Sequence, residues 1–162
     1  MKRLVAMVCL GLALPAQAQE QEPNNSFAEA NALAPGDVLS GEIAANDDDF
    51  YVFTTNGTST IDVWSSALPG SPSLDTVMHL YGADQVQIAV NDDRGGNADG
   101  LYSGFQRPNS PPGTYYVKLR GYDGFGGPRT GHYRIHLTLS GGPDMSVRTF
   151  ALNPQPAPGQ VW

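Results

Sequence analysis

Period-two alternation of apolar and polar side chains is the strongest signal in this chain. Over 113–121, Tyr115, Val117 and Leu119 fall on one face, while Tyr116, Lys118 and Arg120 fall on the other. Over 131–139, Tyr133, Ile135, Leu137 and Leu139 oppose His132, Arg134, His136 and Thr138. Near 58–65, Ile61 and Val63 oppose Thr60, Asp62 and Trp64. Such alternation marks a strand with one face for a core and one for water. Runs rich in Val, Ile, Tyr, Phe and Thr near 38–44, 49–55, 75–81, 85–91 and 100–106 bring the predicted total to about eight strands. Gly and Pro, 32 of the 162 residues, punctuate them. Short strands parted by frequent turns predict an all-β, antiparallel β-sandwich. The one helix signal is a short turn over Ser26 to Leu33, with Ser26 as N-cap and Glu29 three residues on.

The two ends fall outside this pattern. Lys2 and Arg3 precede an apolar run from Leu4 to Leu14, and Pro15-Ala16-Gln17-Ala18 ends in an Ala-x-Ala site. Residues 1–18 are therefore predicted to be a cleaved signal peptide, too short in its apolar part to span a bilayer, with Gln19 as the mature N-terminus. Cys9 lies inside the apolar run rather than after it, which argues against lipidation. The predicted domain covers 19–139. Residues 140–162 read as a Pro/Gly-rich tail, with Met145 to Leu152 as an optional edge strand and a disordered end.

Cleavage changes the charge and the redox chemistry. The chain loses two of its nine Lys/Arg and none of its sixteen Asp/Glu, so the formal charge moves from −7 to −9. The single cysteine leaves as well. A secreted or periplasmic protein without disulfides relies on its core or on a metal. An acidic chain lacks the cations that nucleic acid binding requires, and no apolar segment remains for a membrane.

The acidic residues cluster. Glu20-x-Glu22-x-Asn24-Asn25 forms the lead-in, Asp47-Asp48-Asp49 precedes a strand, and Asn91-Asp92-Asp93 ends another, with Asp99 nearby. Packed carboxylates repel one another unless a cation lies among them. Calcium takes six to eight oxygens from carboxylates, Asn amides and carbonyls. Solvated turns are the alternative, because Asp and Asn favour turns by themselves.

The order of these segments resembles the bacterial pre-peptidase C-terminal domain family. The resemblance rests on Glu22-Pro23-Asn24-Asn25-Ser26-Phe27, Gly36-Asp37-Val38-Leu39-Ser40-Gly41, Asp47-Asp48-Asp49-Phe50-Tyr51, Leu74-Asp75-Thr76-Val77-Met78, Asn91-Asp92-Asp93, Gly113-Thr114-Tyr115-Tyr116-Val117 and Gly131-His132-Tyr133. It implies a jelly-roll-like sandwich attached to secreted peptidases and other exported enzymes, and kinship with the calcium- and collagen-binding modules of clostridial collagenases. It further implies a structural Ca2+ held by Glu20, Glu22, Asn24, Asn25, Asp47 and Asp49. Asn25 stands where the collagenase-type modules more often carry an aspartate, which weakens the implied site. A second ion held by Asp75, Asn91, Asp92 and Asp93 is the further expectation, with turn shaping as its alternative.

Trp64, Tyr116, Tyr122 and Phe125 are the candidate ligand surface, for an extracellular glycan or protein polymer. The outward row Tyr116, Lys118, Arg120, Tyr122 has two cations between its tyrosines, which fits a collagen-like ligand poorly. Catalysis finds little support: the chain has no His-Glu-x-x-His and no Gly-x-Ser-x-Gly. His132 and His136 share a strand face with Arg134 between them and read as solvated, and His79 reads as a strand residue. The expected function is a non-catalytic, exported binding or accessory module that engages a polymer or assists a secreted hydrolase. A purely structural domain or folding aid is the first alternative, and a small carboxylate-based hydrolase the second. The oligomeric state is not encoded in these patterns.

Overall fold

The computed structural model describes residues 18–72, 74–94, 101–124 and 130–141. Residues 1–17 of the expected signal peptide, Asp99, Phe125 and the tail beyond 141 lie outside the described residues. The described chain forms nine strands and no helix: β1 (Asn31–Ala32), β2 (Val38–Ile43), β3 (Asp49–Thr55), β4 (Ser59–Ala67), β5 (Thr76–Tyr81), β6 (Gln87–Asn91), β7 (Gly104–Ser110), β8 (Gly113–Gly121) and β9 (Gly131–Ser140).

One sheet has the order β2-β9-β4-β7 and the other β1-β3-β8-β5-β6. From β2 to β5 each successive strand crosses to the opposite sheet, and apart from the two-residue β1 all pairings are antiparallel. This interleaving is jelly-roll topology, as the family resemblance implies. The alternation decides what fills the space between the sheets. Ile61, Val63, Val117, Leu119, Tyr133, Ile135 and Leu137 have no exposed surface and meet Met78 and Leu80 from β5. The opposite parity, Tyr116, Lys118, Arg120, Arg134 and His136, is half-buried on the outer faces.

Two expectations need correction. Residues 26–33 do not form a helix. Ser26 Oγ donates to Glu29 Oε2 at 2.7 Å and the Glu29 amide bonds the Ser26 carbonyl at 3.1 Å, which closes one turn. The chain then extends into β1, paired parallel with Tyr51 and Val52 of β3. The turn sends Phe27 onto the outer face of the five-stranded sheet, edge-on to Phe50, Tyr81 and Tyr116. Burying that ring outweighs the propensity of a short capped segment. The strand expected near 100–106 begins at Gly104, because Ser103 is taken up by a buried hydroxyl cluster. Ser65 Oγ and Ser103 Oγ each lie 2.8 Å from Thr76 Oγ1, and the Ser103 amide donates to both Ser65 Oγ (3.1 Å) and Thr76 Oγ1 (3.0 Å). Ser65 and Thr76 belong to different sheets, so the cluster pins the two layers together.

Candidate metal centre

The lead-in reaches the sandwich as a short parallel addition to the edge of β2. The Glu20 amide donates to the Ser40 carbonyl at 3.0 Å; the Ser40 amide donates to the Ala18 carbonyl at the same distance, a bond that cleavage after Ala18 would remove. A cis Glu22–Pro23 peptide then turns the chain, and the Phe50 amide donates to the Asn24 carbonyl at 2.9 Å. These bonds carry the lead-in across the end of the sandwich, over the start of β3. Glu20, Glu22 and Asp49 each bring a carboxylate oxygen to one place, all within 4.8 Å of one another.

Asp49 and Asn24 have no exposed surface. Asp49 Oδ2 lies 2.6 Å from the Tyr133 hydroxyl, while Asp49 Oδ1 has no partner among the described residues. The Asn24 amide nitrogen donates to Glu20 Oε2 at 3.3 Å, which leaves Asn24 Oδ1 buried and likewise without a partner. Buried oxygens in native proteins are nearly always satisfied. Two orphaned acceptors beside three carboxylates make an all-oxygen donor set of the kind a hard cation takes.

Two tyrosines hold this set from opposite sheets. Tyr51 from β3 donates to Glu20 Oε2 at 2.6 Å, and the Tyr133 hydroxyl from β9 lies 2.7 Å from the same oxygen. The two hydroxyls also touch each other. Two hydroxyl protons thus serve four short oxygen–oxygen contacts. A third proton on Asp49 relieves the set. Burial above all, then the Glu20 charge, pushes the Asp49 carboxyl up to about 8, against the pull of the Tyr133 hydrogen bond. Glu22 is raised as well, mainly by desolvation, while the Asn24 backbone amide holds it down. Burial raises both tyrosines.

Residues 47–121 match the family model of the bacterial pre-peptidase C-terminal domain. The matched span contains four of the seven sequence motifs that carry the resemblance; those at 22–27, 36–41 and 131–133 lie outside it. The matched pre-peptidase C-terminal span contains Asp47 and Asp49 but not the lead-in that supplies Glu20, Glu22, Asn24 and Asn25. No curated protein matches the chain. Among solved structures, PliG of Aeromonas hydrophila, a periplasmic lysozyme inhibitor of g-type lysozyme, is 14% identical. The alignment covers 75% of this chain and 94% of that chain, with a TM-score of 0.44.

The remaining predicted residues are placed unevenly. Asp47 Oδ2 accepts from the Ala44 amide at 3.1 Å, and Asp48 pairs with Lys118 at 3.0 Å. Turned one way, the Asn25 amide donates to Asp47 Oδ1 (2.6 Å) and the Asp48 carbonyl (3.0 Å); turned the other way, its oxygen faces both. Asn25 and Asp47 also line a cavity of about 600 Å3 in front of the carboxylates. The second set is not gathered. Asn91 is engaged at both ends, donating to the Gly104 carbonyl at 2.9 Å and accepting from the Asp93 amide at 2.8 Å. Asp75, Asp92 and Asp93 do not converge as Glu20, Glu22 and Asp49 do among the described residues.

Nor do the aromatic residues share a surface. Trp64 sits on the outer face of the four-stranded sheet, with His136 stacked 4.7 Å away and the Arg94 guanidinium 4.5 Å from its centre. The ring is therefore already engaged by an imidazole and a guanidinium, and is half-buried. Tyr116 lies on the other sheet under Phe27, and Tyr122 alone of the three is well exposed. Sequence reading missed Tyr51, Tyr133 and Gly41. A Cβ at Gly41 would run into the Tyr133 ring and come within 2.5 Å of Glu20 Oε2. Parity predicts that Tyr133 points inward, but the unbroken apolar run Phe50-Tyr51-Val52-Phe53 does not place Tyr51, and neither pattern says that the two hydroxyls meet.

Proposed function

We propose that the chain is an exported, non-catalytic accessory module whose lead-in is locked onto the sandwich by calcium. The observation that carries this reading is the pair of buried, unpartnered oxygens, Asn24 Oδ1 and Asp49 Oδ1, beside the converged carboxylates of Glu20, Glu22 and Asp49. Asn25 and Asp47, the other two side chains expected as ligands beside Asn24 and the three carboxylates, line the adjoining cavity and are not part of the converged carboxylates. Calcium, which accepts irregular oxygen cages, suits such a set better than magnesium, which demands near-ideal octahedra. The non-catalytic reading is supported by the burial of Asp49. Its raised pKa would suit a general acid, but it has no exposed surface with which to meet a substrate. Secreted or periplasmic placement is supported by the N-terminal signal pattern and the pre-peptidase C-terminal match. Among the described residues no helix is long and apolar enough to cross a membrane. The partner is an extracellular polymer or a secreted hydrolase, as suits a domain of peptidase-associated type.

Titration calorimetry of the mature protein with calcium tests the metal. Saturable binding near one ion per chain is expected, with most of the heat lost in Asp49→Ala. Binding that survives Asp49→Ala unchanged would place any ion elsewhere.

A further inference from the structure

The two sheets have four edges, and three of them are closed to further pairing. β2 is covered by the lead-in, whose Glu20 amide donates to the Ser40 carbonyl at 3.0 Å. β1 is two residues long. β7 carries Arg107 and Pro108, and Asn109 takes a left-handed backbone with φ 54°. Short length, charge and proline are the usual means by which a sheet edge is kept from pairing. β6 has one bulge, at Ile88, but over Val86 to Asn91 it has no proline and no charge. Among the described residues no strand lies on its far side.

The same stretch holds the exposed aliphatic surface. Val86 is 61% exposed, Ile88 38% and Val90 54%; of the large apolar side chains exposed among the described residues, only Tyr122 lies elsewhere. Ala89, opposite Leu80, packs on the core, and Val90, opposite His79, lies on the outer face. An open edge presents N–H and C=O groups outward at every second residue, with the spacing of an extended backbone. Water satisfies those groups but not the aliphatic side chains beside them. An extended chain does both.

Charge decides which chain. Exposed carboxylates bracket the stretch, Asp84 before it and Asp92 and Asp93 after it. A second copy would pair antiparallel about a two-fold axis, with residues of one face directly opposite each other. Centred on Ile88, that pairing sets Asp84 against Asp92; centred on Ala89, it sets Val86 against Asp92 and Gln85 against Asp93. Arg94, next along the chain, already bonds both oxygens of Asp62 at 2.8 and 3.0 Å. Self-pairing thus opposes like charges or sets a carboxylate on an apolar residue, and both are unfavourable across a strand pair. A strand with cationic ends meets neither penalty.

We propose that β6 is the docking edge for an extended segment of a partner protein, apolar at alternate positions and with Lys or Arg at its ends. The proposal rests on the reading of the chain as an accessory module and names how it holds a protein partner. β6 shares no residue with the metal centre.

The test titrates calcium-saturated mature protein with the capped peptide Lys-Thr-Val-Thr-Val-Thr-Lys, followed by amide 15N NMR and hydrogen exchange. Saturable shifts centred on β6 are expected, with slower exchange at the alternate β6 amides that do not face β5. The peptide with Glu at both ends should bind roughly tenfold more weakly, and one with proline for both valines should not bind. Val90→Lys, with its melt unchanged because the position is exposed, should weaken the Lys-ended peptide roughly tenfold. The proposal is overturned if β6 amides do not shift or if the Glu-ended peptide binds as well. It is overturned too if those alternate amides exchange slowly without peptide, since the chain would then cover its own edge. A dimer in sedimentation equilibrium that Val90→Lys dissociates would make a second copy the occupant instead. A calcium-dependent melting shift without peptide binding would sink the edge alone; peptide binding without that shift would sink the metal alone.

Discussion

Asp49 carries the sharpest consequence at the level of single residues. Its carboxyl titrates near 8 in the fold against an ordinary value of 3.8, mainly because it is buried. Between those values the folded, metal-free protein holds a proton that the unfolded chain releases. Stability is therefore fullest below about pH 4 on this account and falls as pH rises through about 8, by up to about 1.4 kcal/mol per pH unit. Urea unfolding in chelator between pH 5 and 8 should show that decline. Asp49→Asn should flatten it, because an amide bears no charge and its nitrogen can donate toward Glu20 and Glu22. The same substitution should remove the response to calcium. A metal-free protein whose stability rises steadily from pH 5 to 8 would contradict the burial argument for Asp49.

Strands and their edges decide how such a residue is held. Gly41 sits in β2 opposite Tyr133 of β9, where the Tyr133 ring and Glu20 leave no room for a side chain. Gly41→Ala should cost about 1–3 kcal/mol by overpacking, and calorimetry should show calcium affinity falling with it. The hydroxyl cluster of Ser65, Thr76 and Ser103 makes the contrasting case. Thr76→Val keeps the volume but takes a partner from each serine and from the Ser103 amide, at about 1–3 kcal/mol. Its unfolding midpoint in urea should drop while calcium affinity stays unchanged, because the cluster takes no part in the metal centre. A fall in affinity equal to that of Gly41→Ala would show that general loosening, not local geometry, governs the site.

Across the whole molecule, what the sequence made legible follows a physical boundary. Alternation is local, so β4, β8 and β9 and the inward faces of all three can be read directly. Turn residues are local too, hence the near-complete strand set. The gathering of Glu20, Glu22 and Asp49 is half legible: the sequence shows acidic residues crowded into two short segments, and the fold brings one carboxylate oxygen of each together. Long-range meetings are not legible in the same way. Tyr51 and Tyr133 are 82 residues apart and belong to different sheets; only jelly-roll closure brings their hydroxyls to Glu20. The same closure separates Trp64 from Tyr116 and Tyr122, which the sequence had grouped by residue type. Residues 26–33 mislead for a related reason, since their local capping signal yields to the tertiary burial of Phe27.

The central claim is that calcium couples the lead-in to the sandwich, and thermal melting of the mature protein tests it most directly. An ion that binds only the folded state adds about 2.7 kcal/mol at a hundredfold excess over its Kd. For a domain of roughly 120 residues that corresponds to about 10 °C in Tm. Tm should rise by that order with calcium over chelator at pH 7.5, move far less with magnesium, and not move in Asp49→Ala. Coincident melts with calcium and with chelator would contradict the account and leave the acidic residues as solvated turns.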